Sequence, residues 1–447
     1  MARILLATLG SHGDLHPFLA IGVALKKLGH DPIVATHAEF GPAVESAGLR
    51  FRAIRPSHAD VLAASGTDMA GLVRRAGKDP WFLLRDVYLP YTPKIFEDIS
   101  AIAADADLIV THNWVFGAII AAEALDIPLV RIALSPLFLQ SALRPSSTGG
   151  VPYLQRSNAL CTRWNMWMRE FVRRQLHAKM APAYAFRRSL GLADSDYDFV
   201  FDFGREDPAR LIIGLYSREL AAREADHPGK AVLSGFPHFD GEPRETPAGL
   251  AAFLADGPAP IVFTLGSFVV NGAEQFYRNG LAACRALGLR SVLIAGAADA
   301  DRLRADAGRD TFICDYAPHS LIFPHAAVIV HHGGIGTTGQ AMRSGKPQLV
   351  VPVLGDQSDN SRRLVGLGVA RRLMVARKLL PDRTSVKRLR KELTILHGDE
   401  RYAAAGAKLS VRLMREQGST EAARQIAAII RPGVDQSDGL DQRRIAA

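Results

Sequence analysis

The sequence predicts two α/β domains, each a parallel sheet wrapped by helices, on three observations. Short apolar runs alternate with amphipathic stretches from the first residues onward, as βαβ units require. A Pro/Gly-punctuated stretch over residues 236–260 breaks that rhythm, which restarts at Ile261. In each half a glycine-rich turn follows a strand and opens a helix, the place where open parallel sheets bind ligands.

In order, Arg3 to Thr8 reads as the first strand, followed by a helix from about Leu15 to Leu28, a strand from Pro32 to Thr36 and a helix ending near Gly48. Leu108 to Thr111 and Leu129 to Ile132 read as buried strands bracketing a helix from Val115 to Leu125. Beyond the linker, Ile261 to Leu265, Ser291 to Ala295, Thr311 to Cys314, Val328 to His331 and Gln348 to Val351 repeat the scheme. Two Rossmann-like domains are therefore expected to face one another across a cleft: residues 1–235, then the linker, then 261–430. The last helix, near Glu421 to Ile430, is expected to pack back toward the first domain, and 431–447 reads as a flexible polar tail.

A chain of 447 residues, 48% hydrophobic and 22% charged, can bury two cores. Three scattered cysteines, Cys161, Cys284 and Cys314, suit neither a disulfide framework nor a zinc site, and a reducing cytoplasm fits best. The first apolar run is too short for a signal peptide, and no stretch approaches a membrane span. A net charge of +9 without a zinc finger, RNP sequence or basic block points away from nucleic acid and toward an anionic small ligand or lipid surface. The Asp-x-Asp triplets at Asp105 and Asp299 read as solvated surface, and no metal is predicted.

The most informative stretch is Val328-Ile329-Val330-His331-His332-Gly333-Gly334-Ile335-Gly336-Thr337-Thr338. A strand runs into a glycine turn that opens a helix, so free backbone N–H groups and the helix dipole meet an anion with no side chain in the way. Thr337 and Thr338 add hydroxyl donors, and a histidine adds a charge-assisted one. A plain strand-to-helix turn, with both histidines bonded to backbone, is an equal reading of the turn alone. After the next strand, Gly355-Asp356-Gln357-Ser358-Asp359-Asn360 places an acid and an amide where vicinal sugar hydroxyls would be read.

From Asp315-Tyr316 through the glycine turn to Asp356, Gln357 and Asn360, the chain resembles the donor-binding signature of family 1 glycosyltransferases, the GT-B group of UDP-, sterol and antibiotic glycosyltransferases. The resemblance implies a GT-B fold with an N-terminal acceptor domain, a C-terminal nucleotide-sugar domain, a UDP- or dTDP-hexose as co-substrate and no other cofactor. By that match His332, Gly336 and Thr337 hold the diphosphate, with Gly334 and Thr338 of the same turn counted beside them from their own chemistry; Ser267 approaches it, against a plain turn role, and Asp356 and Gln357, with Asn360 after them, read the sugar. His331 is structural in this reading. Tyr316 stands where many members stack a tryptophan on the base, and Gln340 where many UDP users grip ribose with a glutamate, which leaves UDP against dTDP open.

On the acceptor side Leu9-Gly10-Ser11-His12-Gly13-Asp14 looks like the Gly-Ser-x-Gly-Asp turn of sterol and antibiotic members, which puts Asp14 at the catalytic base. Read alone, Asp14 fits better as an N-cap on the helix starting near Leu15, and the resemblance reverses that order. His12 is the second candidate base, against a role in the turn. His112 stands where plant members orient their base with an aspartate, so a swapped pair in which His112 tunes Asp14 is expected; lining the acceptor pocket is the alternative. Residues 156–188 interleave arginines with Trp164, Met166, Trp167 and Phe171, which suits peripheral contact with the inner membrane surface or a greasy acceptor, against a solvated helix packed on its own domain. The expected reaction is inverting transfer of a glucose- or rhamnose-type hexose to a hydroxyl of a hydrophobic small molecule or lipid. A nucleotide-sugar epimerase and a non-catalytic nucleotide-sugar-binding partner are the rival functions.

Overall fold

The computed structural model describes residues 1–79, 81–146, 151–156, 158–195, 197–202, 207–239, 246–266, 273–374 and 384–430. Ser267, Gly241-Glu242-Pro243 and the tail 431–447 lie outside the described residues.

Seven parallel strands form the first sheet: β1 (Arg3–Ala7), β2 (Asp31–Thr36), β3 (Arg50–Ala53), β4 (Leu108–His112), β5 (Leu129–Ala133), β6 (Leu211–Gly214) and β7 (Ala231–Leu233), in the order 3-2-1-4-5-6-7. Six more form the second: β8 (Ile261–Thr264), β9 (Ser291–Ile294), β10 (Thr311–Cys314), β11 (Val328–His331), β12 (Gln348–Val350) and β13 (Ala370–Arg372), in the order 10-9-8-11-12-13. Both are doubly wound, so the direction of winding reverses between β1 and β4 and again between β8 and β11. These reversal points open the crevices in which such sheets hold ligands.

Side chains alternate between the faces of each sheet. Ile4 and Leu6 enter one core while Leu5 and Ala7 enter the other, and Ile261 and Phe263 lie opposite Val262. A charge interrupts the apolar run of β5: Arg131 is 2% exposed, pairs with Asp207 and donates to the carbonyls of Asp198 (3.0 Å) and Phe199 (2.9 Å). A buried guanidinium is tolerated only with its donors engaged in this way.

The expected solvated Asp-x-Asp triplets are half corrected. Asp105 is exposed and pairs with Arg3, but Asp299 is 3% exposed and accepts the backbone N–H of Ala273 at 3.0 Å. The connecting stretch is not simply coil, because it contains the helix Leu250–Ala255.

Several sets of contacts among the described residues join the halves, one of them the ion pair of Arg412 with Glu219 (2.9 Å). Asp359, fully buried, holds Arg362 and Arg363, which donate across to the carbonyl of Pro145 (3.3 Å) and the hydroxyl of Ser146 (3.1 Å). The last helix, Gly418–Ile430, returns to the first domain, where Ala422, Ala423 and Ile426 share a core with Leu15, Phe18 and Leu19 of the helix His12–Lys27. It begins against the linker so closely that a Cβ on Gly418 would lie 2.4 Å from the carbonyl oxygen of Phe236. No helix of the described residues is long and apolar enough to cross a membrane.

Candidate active site

The turn after β1 is built around one carboxylate. Ser11 caps the helix His12–Lys27, and Asp14 completes a capping box: its Oδ2 accepts the Ser11 backbone N–H at 2.8 Å and the Ser11 hydroxyl at 3.2 Å. The carboxylate folds back over Gly10, whose φ of +129° and missing Cβ make room for it; a Cβ there would sit 2.4 Å from Oδ2. Burial lifts the Asp14 pKa to about 6, against the opposing pull of the Ser11 bonds. The N-cap reading of Asp14 is corrected, because Ser11 takes that position and Asp14 stands third in the helix; one of its oxygens still sets the turn, while burial raises the pKa of the carboxyl.

Two histidines from neighbouring strand ends hold this turn. His112 Nε2 accepts the Leu9 N–H at 3.2 Å, and its Nδ1 faces the Trp114 N–H at 3.4 Å. Burial pulls its pKa to about 3, so the ring is neutral. Asp14 is not among its partners, and the expected swapped pair is replaced by a ring that braces the backbone leading to Asp14. His37, which the sequence reading missed, does the same one residue on: its Nε2 accepts the Gly10 N–H at 2.9 Å while Nδ1 donates to the carbonyl of Pro56. Its position just past the end of β2, the strand beside β1, is the signal that would have found it. His12 lies against Phe40 and His16, with ring centroids at 4.9 and 5.3 Å.

Across the cleft, the glycine turn after β11 is shaped around two buried histidines. His331 is structural: Nδ1 accepts the Gly333 N–H at 3.2 Å and Nε2 faces Gln348 Oε1 at 3.1 Å, a consistent neutral tautomer. The His332 ring lies between two glycines. A Cβ on Gly266 would come within 2.4 Å of its Cε1, and one on Gly334 within 2.4 Å of its Nε2. Burial, then the neighbouring His331 and His319, pull its pKa to about 3, and among the described residues its buried Nδ1 has no hydrogen-bond partner. This environment holds the ring neutral, so in a bond from its N–H to an anion the charge comes from the acceptor alone.

Gly334 precedes the helix Ile335–Ser344 as an N-cap with no side chain, and among the described residues no side-chain bond to the first N–H groups is made. Those groups are left for an anion. Thr337 and Gly336 line a cavity of about 250 Å³ together with Tyr316, Gln340 and, from the opposite domain, His12 and His16. Thr338 does not join them: it is fully buried, with its hydroxyl enclosed, which corrects its expected contact with phosphate.

The acidic-amide pair is also reshaped. Gln357 is 5% exposed and its Oε1 accepts the N–H groups of Val353 (2.8 Å) and Leu354 (3.0 Å), so only its Nε2 remains to meet a ligand. Asn360 is fully buried and spends its amide on the Gly333 carbonyl and on Asp356 Oδ2, both at 2.9 Å. It ties the glycine turn to the acid from behind. Asp356 is pushed up to about 6 by burial, offset by Asn360 and the nearby Ser135, and raised further by the charge of Asp14. Ser135, two residues beyond β5, is a second site residue that sequence reasoning missed.

Residues 4–143 match the glycosyltransferase family 28 N-terminal domain, and residues 293–429 match the erythromycin biosynthesis protein CIII-like C-terminal domain. The chain belongs to the family 1 GT-B glycosyltransferases. This glycosyltransferase is 28% identical over 382 residues to O-mycaminosyltylonolide 6-deoxyallosyltransferase of Streptomyces fradiae, covering 83% of this chain and 85% of the relative. It is 28% identical over 378 residues to vancomycin aglycone glucosyltransferase of Amycolatopsis orientalis, covering 82% and 84%. Its fold is that of the glycosyltransferase VinC, solved in complex with dTDP, with a TM-score of 0.66 at 21% identity over 96% of this chain and all of that one. The enzyme is therefore a hexosyltransferase of the antibiotic and sterol type.

Proposed function

We propose that this glycosyltransferase moves a glucose- or rhamnose-type hexose from a dTDP- or UDP-sugar to a hydroxyl of a hydrophobic small molecule or lipid, with inversion. The observation that carries the reading is the start of the helix Ile335–Ser344, whose N-cap Gly334 has no side chain, facing the turn at His12 and Gly13 across one cavity. The helix N-terminus, Gly336 and Thr337 receive the diphosphate, His332 adds a neutral N–H, Tyr316 stacks on the base and Gln340 bonds to ribose. Asp356 and the Nε2 of Gln357 read sugar hydroxyls. His12, beside the same cavity, serves to position rather than to take the proton.

In the reaction the acceptor oxygen attacks the anomeric carbon as its proton passes to Asp14. The bond from that carbon to the diphosphate oxygen breaks, and its electron pair leaves with the nucleoside diphosphate, where the helix dipole meets the new charge. A base titrating near 6 is largely ionised at cytoplasmic pH and still basic enough to share the proton.

Asp14→Asn tests this. Turnover with a hydrophobic hydroxylated acceptor should fall by about 10²–10⁴-fold while dTDP or UDP still binds. Retained turnover would remove Asp14 from the chemistry, and isomerised donor formed without acceptor would favour the epimerase.

A further inference from the structure

The helix Ala159–Lys179 turns an unusual face to solvent. Its inner side is fixed to the domain: Asn165 is fully buried and bonds the backbone of Ala142 and Leu154, and Arg169 pairs with Asp226. On the other side Leu160, Trp164, Trp167 and Phe171, spaced 4, 3 and 4 residues, share one face. They are 80%, 40%, 57% and 48% exposed. Trp164 packs against Trp167 with centroids at 5.3 Å, and Trp167 stacks on Phe171 at 5.9 Å. Two of the four tryptophans of the chain therefore stand in one solvent-facing apolar stripe, far from the scatter normal for exposed hydrophobics.

The charge around the stripe is of one sign. Between residues 156 and 188 there are eight Arg and Lys side chains and one acid, Glu170, which is taken up by Arg173 and Arg174. Arg163 and Arg174 are exposed and fall along the same flank of the stripe, at helical positions adjacent to Trp167 and Phe171. Exposed, mutually packed aromatic rings bordered by arginines complement an anionic bilayer surface, whose headgroups attract the cations and whose acyl boundary accepts the rings.

The stripe is also mechanically continuous with the reaction cleft. Asn165 and Arg169 hold the segment 140–142, and three and four residues beyond it Pro145 and Ser146 meet Arg362 and Arg363 of the helix that follows Asp356.

We propose that the Trp164–Trp167–Phe171 face, with Arg163 and Arg174, is a docking surface for an anionic membrane, which sets the cleft at the interface where a lipid or membrane-dissolved acceptor resides. The surface is independent of the chemistry assigned to Asp14, and vesicle binding without donor or acceptor reads it alone.

The full chain is mixed with phosphatidylglycerol–phosphatidylcholine vesicles or with pure phosphatidylcholine, and followed by sedimentation and tryptophan emission. Binding with a blue shift is expected on the anionic vesicles only, weakening as salt rises. Trp167→Ser with Phe171→Ser, and separately Arg163→Glu with Arg174→Glu, should each lower partitioning at least about tenfold. Melting temperature and dTDP affinity should stay unchanged in both. Equal binding to both vesicle types, no binding, or variants that bind as the parent overturn the proposal. A dimer that only the aromatic variant dissolves also overturns it, by giving the face to a second copy.

Discussion

Replacing Gly334 by alanine isolates one contact. Gly334 adopts φ −60° and ψ 146°, a backbone that alanine takes up without strain, so the substitution adds a methyl and little else. That methyl would stand 2.4 Å from His332 Nε2 and 2.9 Å from Cε1, where ordinary contact begins near 3.4 Å, so the ring must retreat by about 1 Å. Gly266 closes on the ring as well, with its own Cβ position 2.4 Å from Cε1, which blocks an easy escape. Overpacking of this kind costs about 1–3 kcal/mol, and a displacement near 1 Å in a donor-binding group lowers kcat/KM by up to about 10²-fold. Melting curves, dTDP titration and steady-state kinetics measure the three effects. In the double variant His332→Ala with Gly334→Ala the methyl has no ring to strike, so its stability loss should fall short of the sum of the single losses. A Gly334→Ala enzyme with parental melting and kcat/KM, or strict additivity in the double variant, would refute the account of the site as a glycine-bracketed histidine.

Asp356 carries a folded pKa of about 6 against an ordinary 3.8, so between those values the folded chain holds more protons than the unfolded one and stability from this group declines as pH rises through 6. Asp356→Asn should therefore gain on the parent in melting temperature from pH 4 to pH 7. His112→Gln should reduce turnover by loosening Leu9 while leaving the acid limb of the pH–rate profile, near pH 6, where Asp14 sets it; a shifted limb would restore direct coupling between them. Gln357→Leu strands the N–H groups of Val353 and Leu354 and should cost about 1–3 kcal/mol. Gln357→Glu keeps that acceptor but removes Nε2, so a raised KM for the sugar donor with intact melting separates sugar reading from loop holding, and an unchanged KM confines the residue to the loop.

What could be read from the chain in advance were its local patterns. Strands β8 to β12 lie in apolar runs ended by turn residues, whereas β13, Ala370-Arg371-Arg372, carries no such pattern and was not legible; the strand, glycine turn and helix at Val328–Ser344 are written consecutively, so the cradle follows from one short stretch. The bracing of the site is not local. His112 reaches back 103 residues to Leu9, and His37 reaches 27 to Gly10. The capture of Gln357 by Val353 and Leu354 is local, yet it depends on how a loop without regular periodicity folds back on itself. Thr338 illustrates the same limit: one helical position from Thr337, it turns 100° away from the cavity into the core, a difference that composition does not record.

The return of the last helix bears on how enzymes of this kind can be recombined. Sequence position assigns Gly418–Ile430 to the C-terminal half, yet its apolar side completes the core beneath the turn that carries Asp14, through Leu15 and Phe18. A chimera spliced once near residue 235 would pair the helix of one parent with the core of the other. Exchanging the N-terminal module intact calls for two junctions, at Gly235 and just before Gly418, where the two crossings of the chain lie against one another and both positions already tolerate no side chain.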